Sequence, residues 1–379
     1  MTGRPAPATA GRTAAIRIRH VYEREHEALR KITGLDILPW QGSCHAAAAD
    51  AEAATQAWLR KHGLVRNERH GDRARRARYA WLMARCHPHA DRQLLQTLAD
   101  FIAWFFIFDD AHFDRTRPDP QHVITAISAV LGVLESETAT SSPVFGEAAL
   151  AGLCKRFRRQ MPGEQYERYA QALRLYVSSV AVQTLGHLDD RPVSRPTYET
   201  VRRYISGVEV TQALIDISST GAMTADEYYR PDVRALSRRM NNIVSWLNDI
   251  HSLAVESYQP GYFWNMPALH ALDSDSLLDG VHITERRVRD EVRAFDTEAA
   301  RIEQRASPEL QGYVEGMRLW MRGYCDWVAH DSQRYSSTHA PHDGTDTTDT
   351  TQEDGHGPRT HRARRPRSSA PHGPRAASA

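Results

Sequence analysis

The sequence predicts an all-α protein with one ordered domain, and three observations carry that expectation. Apolar residues recur at helical spacing from about residue 50 to about residue 335. No segment shows sustained period-two alternation with β-branched enrichment, so strands are not needed. From Ser336 the chain turns into Thr, Asp, Gly, His, Arg and Pro, acidic first and basic later. Such a stretch cannot bury enough apolar area to order itself. The expected division is a disordered leader over 1–20, a helical domain over 21–336 and a disordered tail over 337–379.

The leader is rich in Ala, Pro and Thr, lacks acids and carries Arg4, Arg12, Arg17 and Arg19. Helical patterning starts near Asp50 with Ala51 to Leu59, a run of good helix formers. A second helix is predicted over Ala74 to Cys86, stopping before Pro88. Asp91 can cap the next, which runs through Leu94, Leu95, Leu98, Ile102, Phe105 and Phe106. It is apolar on most of its circumference, so it belongs at the centre of the domain. Further helices fit about 122–135, 144–160 and 163–187. Asp189 to Pro196 forms a turn, and helix resumes from Thr197 to about Ser219 with a break near Ser206-Gly207. Thr224 caps a short helix, Pro231 precedes a long one reaching about Tyr258, and two more fit 283–303 and 308–335.

Composition narrows the function. Of 379 residues, 41% are apolar and 25% charged, as in a globular domain without membrane spans. The net charge of +1 gives no reason to expect a nucleic-acid partner. No apolar run approaches the roughly 20 residues that cross a bilayer. Cys44, Cys86, Cys154 and Cys325 are scattered without CxxC spacing, which suits reduced thiols in a cytoplasmic protein.

Four residue sets carry chemistry. The first is Phe108-Asp109-Asp110 through Asp114, three carboxylates within six residues after an intensely apolar run. Acids beside apolar side chains are costly unless a cation neutralises them, and Mg²⁺ favours oxygen ligands that it can share with phosphate. A solvated acidic helix end fits this stretch equally well. The second is Asn248, Ser252 and Glu256, spaced i, i+4, i+8 on one stripe of an otherwise core-like helix. An amide oxygen, a hydroxyl and a carboxylate form another oxygen-ligand set. The third is Arg202-Arg203 before the Ser206-Gly207 break, able to bring a guanidinium and a free backbone carbonyl to one point. The fourth is Arg334-Tyr335, a cation and a phenol near the end of the ordered chain.

In this order the four sets resemble the class I terpene synthases, particularly the bacterial type, over roughly residues 40–336. Asp109, Asp110 and Asp114 look like the family's aspartate-rich motif, in the longer DDxxxD spacing. Asn248, Ser252 and Glu256 match its NSE triad residue for residue. Arg202 or Arg203 takes the place of its diphosphate-sensing arginine, with Gly207 at the helix break. Arg334-Tyr335 matches its C-terminal RY pair, preceded by Trp320, Gly323 and Trp327. One departure is Val255, where the family usually has a basic residue before the glutamate.

The resemblance implies a single-domain antiparallel helical bundle with the class I terpenoid synthase fold. It implies three Mg²⁺ ions held by Asp109, Asp110, Asp114, Asn248, Ser252 and Glu256, with Asp109 and Asp114 the first choices in the aspartate motif. Arg202 or Arg203, Arg334 and Tyr335 would act on the diphosphate, and Phe105, Phe106, Gly207 and Trp320 would adjoin the substrate. The implied reaction ionises a linear isoprenyl diphosphate, farnesyl diphosphate first and geranylgeranyl diphosphate second, and cyclises the cation. A chain-elongating synthase would need a second DDxxD where the NSE set stands. A non-catalytic helical scaffold would have no use for two metal sets with flanking arginines. The resemblance leaves monomer and homodimer open.

Overall fold

The computed structural model describes residues 7–29, 37–114, 119–188, 192–219, 221–256 and 264–336, with side chains from Arg17 onward. The tail from 337, the first six residues, 189–191 of the predicted turn and the expected helix end at Tyr258 lie outside the described residues. Within them the helices are α1 Pro7–Leu29, α2 Ala48–Lys61, α3 Glu68–Ala77, α4 Tyr79–Cys86, α5 Arg92–His112, α6 Pro120–Ser136, α7 Glu147–Gln160 and α8 Gly163–Leu188. They continue as α9 Arg195–Ile205, α10 Val208–Gln212, α11 Ala225–Tyr228, α12 Pro231–Glu256, α13 Met266–Ser274, α14 Leu277–Glu303 and α15 Pro308–Asp326. A 3₁₀ turn at Asp216–Ser218 and a π turn at Trp327–Asp331 complete them. No strand occurs among the described residues, and the fold is an antiparallel helical bundle.

Two helices form its centre. α5 buries Leu94, Leu95, Leu98, Phe101, Ile102, Trp104, Phe105 and Phe108, and packs against α2, α4 and α7. Phe101 alone meets Trp104, Phe157 and Tyr169, with ring centroids 5.4–5.9 Å apart. Burying one such ring is worth about 1.5–3 kcal/mol. α12 buries Val233, Leu236, Met240, Ile243, Val244, Leu247 and Ile250 against α14, α15, α10 and α9. Both helices start where local chemistry dictates. Asp91 accepts from the backbone N–H of Gln93 and Leu94 at 2.8 Å, and Pro231 opens α12 at a position that needs no donor.

α1 buries Ile18, Val21 and Tyr22 and packs against α13 and α14. Three expectations are corrected. The helix expected over Ala74–Cys86 is two helices, broken at Arg78 with φ +51°. A bulky residue adopts that conformation because tertiary partners take over the broken ends. The Trp327 indole donates to the carbonyls of Ala77 (3.0 Å) and Arg78 (2.9 Å), and Glu52 accepts from Ala80 N–H. α13, capped by Asn265, stands where no helix was assigned. The last helix ends at Asp326 and passes through the π turn, so Arg334 and Tyr335 follow a bend.

Candidate active site

The aspartate motif straddles the C-terminal end of α5. Asp109 and Asp110 lie in its last turn, and Asp114 lies past it, where its N–H reaches the Asp109 carbonyl at 3.0 Å. Asp109 accepts a hydrogen bond from Tyr176 of α8, whose ring rests on Phe105 at 4.6 Å between centroids. Asp110 takes both Arg334 guanidinium nitrogens, at 2.6 and 3.0 Å. The same guanidinium lies 4.4 Å over Phe106, which stacks on Tyr79 and Trp327.

The second cluster lies near the C-terminal end of α12. The Ser252 hydroxyl donates to the Asn248 carbonyl at 2.8 Å, and Glu256 accepts from the Asn265 amide at 2.8 Å. Asn248 is held from two sides: its side-chain oxygen accepts from Arg202 at 2.7 Å, and its NH₂ donates to Tyr335 at 2.8 Å and Tyr324 at 3.3 Å. Arg202 also reaches Asp249, which is fully buried and accepts from Tyr198 and from Met266 N–H at 2.8 Å. Arg203 differs. Its guanidinium has no hydrogen bond or ion pair among the described residues, while its carbonyl accepts from Asn241 at 2.8 Å.

The C-terminal segment joins the halves. The bend after α15 is fixed by Asp331 on Arg85 of α4 and by Gln333 N–H on the Arg76 carbonyl at 3.0 Å. Arg334 thereby meets the aspartate motif and Tyr335 the α12 triad. At the break between α9 and α10, Gly207 has φ +70°, and a Cβ there would lie 2.6 Å from the Phe105 ring. Only glycine suits both the dihedral and the contact. Trp320, buried on α15, stacks parallel to Tyr324 at 6.3 Å. Trp246 faces Arg287 of α14.

The electrostatics set the cluster apart from a solvated acidic surface. Desolvation, with repulsion from Asp114, pushes the Asp109 carboxyl up to about 7, against the pull of the Tyr176 hydrogen bond. Glu256 is raised by burial and by the nearby Asp249 carboxylate. These are oxygen donors short of positive charge, which suits a hard cation. Among the described residues no three acid, His or Cys side chains converge on one point. The reason is visible: Asp110 is turned to Arg334 and Asp109 to Tyr176. Val255 brings no cation, so the guanidinium touching the triad is that of Arg202.

A family model described as terpene synthase family 2, C-terminal metal binding, matches residues 100–294. The chain is 40% identical over 309 residues to the (+)-corvol ether B/(+)-corvol ether A synthase of Kitasatospora setae, covering 82% of this chain and 97% of that one. It belongs to the terpene synthase family. A sesquiterpene synthase of Metarhizium majus is 40% identical over 310 residues, covering 82% of this chain and 87% of its own length. The crystal structure of germacradien-4-ol synthase from Streptomyces citricolor shares the fold, with a TM-score of 0.67 at 20% identity over 77% of this chain and 99% of that one.

The synthase is a lyase acting on a diphosphate and carries the family's metal-binding region. Several residues at its site escaped the sequence reading: Tyr176, Tyr198, Asp249, Asn265, Tyr324 and Tyr79. Asp249 alone had a usable signal, an acid directly after Asn248 in a helix apolar on its other faces. The tyrosines come from α4, α8, α9 and α15 at spacings that nothing local distinguishes from core packing.

Proposed function

We propose that this synthase is a Mg²⁺-dependent cyclase of farnesyl diphosphate that forms a sesquiterpene hydrocarbon or alcohol and releases diphosphate. The Kitasatospora relative is named as farnesyl diphosphate cyclizing and the Metarhizium relative as a sesquiterpene synthase. The observation that carries the mechanism is that Arg334 and Tyr335 join the two ligand sets, Arg334 on Asp110 and Tyr335 on Asn248.

With Asp110 engaged by Arg334, Asp109 and Asp114 supply the first set, and Asn248, Ser252 and Glu256 the second. Three Mg²⁺ ions bound there would withdraw charge from the diphosphate and make it a better leaving group. Arg202, held by Asp249 and Asn248, presents a fixed guanidinium to the same anion, and Arg334 and Tyr335 present donors from the opposite side. Arg202 is the diphosphate contact, because Arg203 has no tie to either ligand set. The allylic C–O bond breaks with both electrons leaving on diphosphate. The carbocation is shielded from water by Phe105 and the neighbouring apolar side chains, whose ring faces stabilise positive charge. Loss of a proton gives a hydrocarbon, and capture of water gives an alcohol.

Continuous assay of diphosphate release from farnesyl diphosphate with Mg²⁺, comparing the parent with Asn248→Leu, tests the assignment. The parent releases diphosphate and the variant does not, at equal helical content by circular dichroism. Turnover retained in Asn248→Leu contradicts the ligand assignment.

A further inference from the structure

Two arginines approach Asp110, and they hold it unequally. Its Oδ1 accepts from Arg334 Nη2 at 2.6 Å. Its Oδ2 accepts from Arg334 Nη1 at 3.0 Å and faces Nη2 of Arg73, on α3, at 4.0 Å. At that distance Arg73 is within ionic reach but beyond a hydrogen bond. Among the described residues the Arg73 side chain has no hydrogen bond and no second ion pair. Only 27% of it is exposed, so its guanidinium stands in the mouth of the site with its donors unspent.

The backbone fixes both arginines on this carboxylate. α3 opens on Asn67, which accepts from His70 N–H at 2.9 Å, and its last turn offers the Arg76 carbonyl to Gln333 N–H at 3.0 Å. Arg73 stands one turn before Arg76, and Arg334 directly follows Gln333. Arg334 Nη1 also donates to the Tyr79 hydroxyl at 3.1 Å. Its two bonds are longer than the one that Nη2 makes, so Nη1 is the nitrogen released at least cost.

Arg334 cannot present Nη1 to a diphosphate and keep both Asp110 oxygens. Turning it away takes a donor from Oδ2, and a partly buried carboxylate that loses a charged donor is costly. Arg73 replaces that donor by closing about 1 Å, from ionic to hydrogen-bonding distance. We infer that Arg73 is a positioning residue for the ionisation step: it takes over Asp110 Oδ2 when Arg334 Nη1 turns to the diphosphate, while Arg334 Nη2 stays on Oδ1. This rests on the cyclase reading. Arg73 acts through Asp110 and does not touch the substrate.

The test is a double-mutant cycle of Arg73→Met and Asp110→Asn. It is read as kcat/KM on farnesyl diphosphate with Mg²⁺, as the Kd of diphosphate with Mg²⁺ by calorimetry, and as thermal melting in EDTA. Arg73→Met is expected to lower kcat/KM about tenfold. In the Asp110→Asn background, where no carboxylate is left to take over, it should cost less than about twofold. In EDTA, Arg73→Met should melt with the parent, because Arg334 holds both Asp110 oxygens in the resting protein. An equal cost in both backgrounds means that Arg73 meets the diphosphate itself, and overturns the inference. A lowered melt in EDTA makes Arg73 a support of the fold and overturns it too. Where Asp110→Asn gives no turnover, the same cycle is read in the diphosphate Kd. An Asp110→Asn that binds no diphosphate makes Asp110 a metal ligand, which also overturns the inference. A parent that gives no terpene overturns the cyclase reading and the inference with it. A productive parent indifferent to Arg73→Met overturns the inference alone.

Discussion

Replacing Asp109 with asparagine should stabilise the metal-free protein above neutral pH, although it removes a residue at the centre of the site. The Asp109 carboxyl titrates near 7 in the folded chain against an ordinary 3.8, mainly through desolvation and next through Asp114. Its folded pKa is raised, so between about pH 4 and 7 the folded state holds a proton that the unfolded state has released. Stability therefore falls as pH rises through that window and levels off above it. Ionising such a group in place costs about 4 kcal/mol. Solvent at a partly exposed carboxylate reduces this to about 2 kcal/mol. Asparagine keeps an oxygen for the Tyr176 hydroxyl and carries no charge. In EDTA, Asp109→Asn is expected to gain about 2 kcal/mol over the parent at pH 8 and nothing at pH 4, read as the difference between their thermal melts. Calorimetry in buffers of different ionisation enthalpy should find the parent releasing a proton on binding Mg²⁺ and diphosphate near pH 6, and the variant releasing less. Equal melting of parent and variant at pH 8 would refute the electrostatic reasoning.

Other substitutions probe the supports around that centre. Asp249→Ala takes a buried carboxylate away from the half-buried Arg202 guanidinium, the Tyr198 hydroxyl and Met266 N–H, and should cost about 3–5 kcal/mol in urea unfolding. A loss under about 1 kcal/mol would mean the pair does not anchor the helix break. Gly207→Ala places a Cβ against Phe105 at φ +70°; about 1–2 kcal/mol of stability and most of the turnover should go, and parent-like melting and activity would contradict that contact. Arg334→Met unties Asp110 and removes the proposed diphosphate donor. It should lower kcat/KM about 100-fold, and an unchanged value would remove Arg334 from the mechanism.

Much of this molecule is legible from the chain because the signals are local. Asp91 and Thr224 announce helix starts, and each accepts the expected backbone N–H. The apolar circumference of α5 announces its central place. The four site sets are short motifs, and the fold hydrogen-bonds Arg334 to Asp110 and links Arg202 through Asn248 to Tyr335, the neighbour of Arg334 in sequence. The misses have distant causes. Arg78 breaks a helix in which no local residue asks for a break, because donors and acceptors from Trp327 and Glu52 satisfy the ends. The choice between Arg202 and Arg203 depends on which face of α9 meets α12. Phe105 and Phe106 are adjacent in sequence, yet one meets Tyr176 and the helix break and the other Tyr79, Trp327 and Arg334.

The most direct measurement is the carbon count of the product by mass spectrometry, with geranyl, farnesyl and geranylgeranyl diphosphate offered in parallel with Mg²⁺. A cyclase of the proposed kind gives a C15 cyclic hydrocarbon or alcohol from farnesyl diphosphate, and none when EDTA replaces the metal. A C20 product alone, a longer isoprenyl diphosphate, or no turnover of any of the three would contradict it.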